Sequence, residues 1–194
     1  PGGFAVCVTS ARAGDVWVGT FGRGLFRLRG GGWTAFRQQD GPAGDRVRSL
    51  LATSNGDLWI ATDTPPQLQR MRAGKIEIMD LPSNSRTIRA MAEDKEGVIW
   101  VGSADGQLFR IREGAIENLA PKLSERLLSI RCLHATADGA LWVGYAGWGV
   151  GRLKGDAFQR VTTQNGLHDD YVSQMVADEQ GWLWCAGNRG IFQV

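Results

Sequence analysis

The sequence predicts an all-β fold, a β-propeller of four-stranded antiparallel blades with about 42 residues per repeat. Three observations predict it. A tryptophan returns at Trp17, Trp59, Trp100, Trp142 and Trp184, at intervals of 42, 41, 42 and 42 residues. A glycine stands three residues before each of them (Gly14, Gly56, Gly97, Gly139, Gly181), and a glycine or alanine two residues after. Between these phrases run short apolar segments broken by glycine turns, with no helical stretch among them. Self-similarity at this period marks stacked supersecondary units, none of which can bury its apolar face alone.

Each repeat reads as a four-stranded meander. In the second, VRSLLAT (47–53) is rich in strand formers and SNGD makes a turn. DLWIAT (57–62) follows, with Leu58 and Ile60 on one face and Trp59 on the other. Pro65 and Pro66 cannot continue a ladder, so a loop is expected at 62–67. LQRMR (68–72), the Ala73-Gly74 turn and KIEIMDL (75–81) complete the unit. The first unit offers FAVCVTS, DVWVGT, LFRLR and WTAFRQ; the third IRAMAED, VIWVGS, LFRIR and AIENLA. The fourth offers IRCLHATA, LWVGYA, VGRLK and AFQRVT, and the fifth only VSQMVAD, WLWCAG and IFQV. The expectation is one propeller over 1–194 with nineteen strands and blades near 4–42, 45–82, 86–120, 128–163 and 171–194, the last lacking its fourth strand. The ring is accordingly expected to be incomplete, with further blades or a second copy covering its open faces; the rival is a small closed five-bladed ring. The glycine before each Trp is expected at positive φ in a hairpin, the small residue after it to let sheets approach, and the Trp to fill the wedge between blades.

Composition narrows function without naming it. Hydrophobic residues make up 43% and charged residues 22%, an ordinary globular balance. The net charge of +2 and the lack of a Lys/Arg stripe argue against nucleic acid. No run of eighteen apolar residues occurs, so no membrane segment is expected in this chain. The chain opens on Pro1, which reads as a trimmed or mature fragment. Cys7, Cys132 and Cys185 are odd in number and widely spaced; they read as buried thiols, and Cys7 and Cys132 fall at similar points of strand one.

The phrases GDVWVGTFGRGLFR (14–27), GVIWVGSADGQLFR (97–110) and GALWVGYAGWGVGR (139–152) resemble the two-component regulator propeller repeat. NGLHDDYVSQMVAD (165–178) is similar to that family's linker, and the resemblance covers essentially the whole chain. Unit two departs with Ala61 and its proline loop, and unit five with Cys185-Ala186. The resemblance implies the sensor part of a hybrid two-component system, periplasmic or extracellular, whose ligands are often oligosaccharides. It carries over no catalytic residue; a full-length parent could carry a histidine kinase.

Function is sought where the copies differ. In a propeller the loops from strand four to the next strand one, and from strand two to strand three, open on one face. Here these are 38–46, 82–87, 120–127 and 163–171, with 20–24, 62–67, 103–107, 145–149 and 187–190. Trp148 in YAGWG lies outside the repeat register; it can stack on a sugar ring or fold down as a lid over the neighbouring blade. Tyr145, Arg126, Arg189, Arg23 and Arg86 join it as ligand-binding candidates, with Arg46, Asp105, Asp169 and Asp170 as further charged loop positions. Arginines suit carboxylates of acidic sugars, though each is also an ordinary surface charge. Arg27, Arg70, Arg110 and Arg152 recur in register and are assigned to scaffold.

Catalysis finds little support. His134 falls in an inner strand, and His168-Asp169-Asp170 lacks a third spaced ligand for a metal. No nucleophile elbow, phosphate loop or zinc-protease motif occurs, so no catalytic residue, metal or cofactor is expected. The reading is a non-catalytic sensing or interaction module that takes a carbohydrate or another small polar ligand. The alternatives are a propeller lyase or glycosidase acting on polysaccharide, and a purely structural propeller scaffold.

Overall fold

A computed structural model describes residues 3–11, 14–37, 44–82, 87–123 and 127–194, with only the backbone of 121 and 122. The fold is a β-propeller. Blade one comprises β1 (Phe4–Ser10), β2 (Val16–Phe21), β3 (Leu25–Arg29) and β4 (Gly32–Phe36). Blade two comprises β5 (Val47–Ala52), β6 (Leu58–Asp63), β7 (Pro66–Arg72) and β8 (Lys75–Met79). Blade three holds β9 (Ile88–Glu93), β10 (Ile99–Ser103), β11 (Leu108–Arg112) and β12 (Ala115–Asn118). Blade four holds β13 (Ile130–Ala135), β14 (Leu141–Tyr145), β15 (Val150–Lys154) and β16 (Ala157–Val161). Blade five holds β17 (Val172–Ala177), β18 (Leu183–Gly187) and β19 (Gly190–Gln193). Each sheet is hydrogen-bonded in chain order, so all five are meanders, four of four strands and one of three.

The chain divides into two compact units, 1–88 with blades one and two, and 89–194 with blades three to five. Within each, the Trp-bearing face of one blade packs on the aliphatic face of the next. In the first unit Trp17 and Leu25 cluster with Val47, Leu50, Leu58, Ile60 and Met71 of blade two. In the second, Trp100 and Leu108 cluster with Ile130, Leu133, Leu141, Val143 and Leu153 of blade four. Cys132 and Val150 meet Val172, Leu183, Cys185 and Phe192 of blade five, with Trp142 packed against them. Removing each large side chain from water contributes roughly 1.5–3 kcal/mol, which makes these seams the main source of stability.

The glycines do what the repeat predicts. Those before each Trp have φ of 77°, 90°, 76°, 82° and 88° in chain order, values that side chains rarely adopt. Those after it are in close contact: a Cβ on Gly19 would lie 2.6 Å from Val47 Cγ1, and one on Gly102 2.5 Å from Ile130 Cγ2. Only hydrogen fits between these inner strands.

Three details differ from the sequence reading. Trp17, Trp59 and Trp100 are buried, but Trp184, in the last blade described, is 39% exposed. Pro66 begins β7 and pairs with Asp63, shrinking the expected loop to two residues; the first position of a strand needs no ladder donor. One helical turn at Ala120–Leu123 and a 3-10 turn at Thr163–Asn165 interrupt the linkers. In the latter the Thr162 amide donates to Asn165 Oδ1 at 2.5 Å and Gly166 reverses the chain at φ 102°.

Linkers and β2–β3-type loops come together on one side of each unit. The amides of Gly22 and Gly24 both donate to Asp45 O at 2.9 Å, and Gly149 N donates to Asp170 O at 2.7 Å. Phe21 bridges to Arg46 and Ala146 to Tyr171. The linker ends at Asp45–Arg46 and Asp170–Tyr171 are therefore clipped to the blade before them.

Candidate functional site

Blade four departs from its neighbours in two compensating positions. At the end of the second strand, blades one to three carry small hydroxyl residues that cap their own hairpin. Thr20 Oγ1 donates to Gly24 O at 2.8 Å and Thr62 Oγ1 to Pro65 O at 2.8 Å, while Ser103 Oγ accepts from the Gln107 amide at 2.9 Å. Blade four has Tyr145 there. In the third strand, where the others place Phe26, Gln69 and Phe109, it has Gly151. The vacated volume is filled: a Cβ on Gly151 would sit 2.5 Å from Phe158 Cζ and 3.3 Å from Tyr145 Cε2. Tyr145 is buried, and burial pushes its phenol up to about 12.

The loop above this cluster carries Trp148. Gly147 and Gly149 have φ of 82° and 70°, and a Cβ on Gly149 would meet Val161 O at 2.1 Å, so the hairpin closes directly on β16. Trp148 is half-buried and packs against the core cluster that includes Tyr145, as do Leu128 and Phe158. The exposed Arg160 places its guanidinium carbon 4.6 Å from the indole centroid, a cation–π stack. Arg160 pairs with Gly151 across the β15–β16 ladder. The blade face that carries no side chain at this strand-three position thus holds an aromatic group roofed by an arginine.

The other sequence candidates are scattered. The amide of Arg189 donates to Asp169 Oδ2 at 2.8 Å, leaving its exposed side chain at the rim of blade five. Arg23 is exposed in the first unit, its amide donating to Thr20 Oγ1 at 3.2 Å. Arg46 lies 3.8 Å from the Phe21 centroid, and Asp105 accepts from Ser103 Oγ at 2.5 Å. Arg86 and Arg126 lie outside the described residues. The acids after His168 hold loops in place. Asp169 accepts the Tyr171 amide at 2.9 Å as well as that of Arg189, and these bonds, Tyr171's first, hold its carboxyl below the usual carboxylate range. Asp170 accepts from Thr163 N at 2.7 Å and Thr163 Oγ1 at 2.8 Å. His168 packs on Phe192 at 5.5 Å, and burial lowers the pKa of half-buried His134. Among the described residues no three His, Cys, Asp or Glu side chains gather at one point.

The register arginines are scaffold in a concrete sense. Arg27, Arg70 and Arg152 lie 5.6, 5.8 and 5.7 Å from the centroids of Trp17, Trp59 and Trp142, one stack per blade. Two features escaped the sequence reading. Arg160 sits in a fourth strand, yet the replacement of an aromatic by Gly151 signals that something else must fill that face. Arg131 stacks on Tyr171 at 5.5 Å, joining blade four to the linker of blade five, and no repeat feature marks it. A separate cleft of about 130 Å³ lies between blades three and four, lined by Trp100, Arg110, Arg112 and Leu141. Its arginines are engaged, Arg110 with Glu117 at 2.5 Å and Arg112 with Glu96 at 3.7 Å.

Five meander sheets, a tryptophan seam and a loop face carrying the departures define a β-propeller. The family model described as two component regulator propeller matches residues 41–64 and 80–105, so these two stretches resemble repeats of that family. No curated protein matches it by sequence. Among solved structures it is similar to the extracellular domain of a protein described as a one component system from B. thetaiotaomicron. The TM-score is 0.84 at 20% identity, over 100% of this chain and 27% of that one. A second extracellular domain from that organism, of a protein described as a hybrid two component system, gives 0.81 at 22% identity, over 98% and 26%. Virginiamycin B lyase from Staphylococcus aureus gives 0.80 at 18% identity, over 96% and 68%. The chain thus spans about a quarter of the extracellular domains it resembles. At these identities the likeness concerns the fold.

Proposed function

We propose that the chain is a non-catalytic ligand-sensing module of a two-component-type signalling protein, working outside the cytoplasm. Its ligand is a small polar molecule of the oligosaccharide class, seated on the blade-four loop face. Trp148 offers the stacking surface, Arg160 a guanidinium for a carboxylate, and Tyr145 the support beneath; Arg189 contributes from the neighbouring blade. The observation that supports this reading is the paired Tyr145 and Gly151 departure beside the Trp148–Arg160 stack, which among the described residues occurs in blade four alone. Resemblance to extracellular domains of proteins described as one component and hybrid two component systems supports the class and the location.

The test is a glycan array followed by calorimetric titration with uronate-containing oligosaccharides. Trp148→Ala and Arg160→Ala should each weaken binding by roughly 1–3 kcal/mol, as for an interface hot spot. Equal binding by both variants sinks the site. Turnover of polysaccharide fragments by the unmodified chain would replace the sensor reading with an enzymatic one.

A further inference from the structure

In blades one and two the residue after the hairpin glycine is an aspartate, and the arginine that ends the third strand closes on it. Arg29 donates to Asp15 at 2.6 and 2.5 Å, and Arg72 to Asp57 at 3.0 and 2.7 Å. Both are two-pronged pairs on buried acids. Blade three keeps the arginine and lacks the acid. Arg112 stands in the register of Arg29 and Arg72, and Val98 takes the place of Asp15 and Asp57. Among the described residues Arg112 has one ion pair, with Glu96 at 3.7 Å, too long for a hydrogen bond and exposed on both sides. Blade four also lacks the acid, with Ala140, but there Lys154 reaches Asp138 at 2.9 Å. The blade-three guanidinium is thus the one whose carboxylate seat stands open.

That seat opens into a cavity. The cleft of about 130 Å³ between blades three and four runs past Arg112 and Arg110 onto the buried Val98, Trp100, Leu141 and Leu153. Arg27, Arg70 and Arg152 stack on their tryptophans, but among the described residues Arg110 makes no such stack on Trp100. Lys95 adds a cation at the mouth, its Nζ 3.7 Å from where a Cβ on Gly139 would lie. The volume approaches the roughly 150 Å³ of an apolar cavity that accepts a benzene ring. We propose that this cleft binds a small aromatic carboxylate. Its carboxylate closes on the Arg112 fork, as Asp15 and Asp57 close on theirs, and its ring enters among Trp100, Leu141 and Leu153. The exposed Glu96 contact yields to it, since surface pairs of that kind contribute little. This site is separate from the blade-four loop site: Gly139 and Gly155, in the hairpins at the other end of that blade, line it.

The probe is benzoate, titrated into the isotope-labelled 194-residue chain while amide shifts are followed by NMR. Saturable shifts should gather at Val98, Arg112, Gly139 and Gly155. Benzyl alcohol, which keeps the ring without the charge, and acetate, which keeps the charge without the ring, should each bind at least tenfold more weakly. Val98→Asp restores the acid that blades one and two carry; it should abolish benzoate binding and raise the melting temperature together, a pairing that mere damage to the cleft would not give. Arg112→Gln should weaken benzoate at least tenfold, and because Arg112 is exposed this variant keeps the fold and decides the matter if Val98→Asp does not fold. Trp148→Ala should leave benzoate binding unchanged. No saturable shift, equal binding of benzoate and benzyl alcohol, or full affinity in Arg112→Gln overturns the proposal.

Discussion

Trp100 and Trp184 occupy the same place in their repeats and make the same polar bond. The indole N–H of Trp100 donates to Asp94 Oδ2 at 2.9 Å, and that of Trp184 to Asp178 Oδ2 at 2.7 Å. Yet Trp100 is 8% exposed and Trp184 39%. The difference lies entirely in what stands beyond. Trp100 meets Leu133, Leu141 and Leu153 of blade four, whereas blade five is the last sheet of the second unit among the described residues. Local sequence sets the strand, the hairpin and the indole hydrogen bond; burial is set by the neighbour.

The comparison breaks most sharply by truncation. Trp100→Ala should destabilise by roughly 3–5 kcal/mol, since it leaves a cavity between two packed sheets. Trp184→Ala should cost about 1 kcal/mol in the monomer, because its site is already wet. Denaturant unfolding of the two variants measures both, and equal losses would mean that blade five is covered. Next in size are the glycines around Trp148. Gly149→Ala drives a Cβ toward Val161 O and should cost roughly 2–3 kcal/mol, while Gly147→Ala, with nothing within 4 Å, should cost about 1 from its φ alone. Thermal melts resolve the pair.

Acid sharpens the comparison from another side. The Trp184 indole N–H holds the Asp178 carboxyl below its ordinary value, and the Tyr171 amide does the same for Asp169. A depressed folded-state pKa means stability that is present above the unfolded value near 3.8 and is lost as pH falls through the lower folded value. Unfolding free energy should accordingly decline below about pH 4, and Asp169→Asn or Asp178→Asn should flatten that decline. An acid limb unchanged in both variants would show that these bonds do not form. The smallest effect is chemical. Burial pushes the Cys132 thiol up to about 12 and the Cys185 thiol to about 11, so both should react with a disulfide reagent only as fast as the protein opens. Prompt labelling of the folded protein would contradict the packing of blades four and five.

The glycine–tryptophan register alone was enough to read the blades, because a hairpin glycine at positive φ and a wedge-filling aromatic are local demands repeated five times. Trp148 was legible as an outlier for the same reason: it breaks a pattern. Arg160 was not, since its place in β16 looks like any solvated strand residue until Gly151 is seen opposite it. The Tyr145 ring, placed by the sequence beside Trp148 at the end of the preceding strand, fills the volume that Gly151 vacates.

Sequence by itself determined the strand count, the meander connectivity and the close approach at Gly19, Gly102 and Gly144, all of which rest on backbone conformation and side-chain size within one repeat. Tertiary structure decided the rest. It set which tryptophans are buried, tied Asp169 and Asp170 to loop amides, and laid Arg160 over Trp148. Those outcomes depend on which side chains of other strands and blades come within contact distance, and a local repeat pattern carries no record of that.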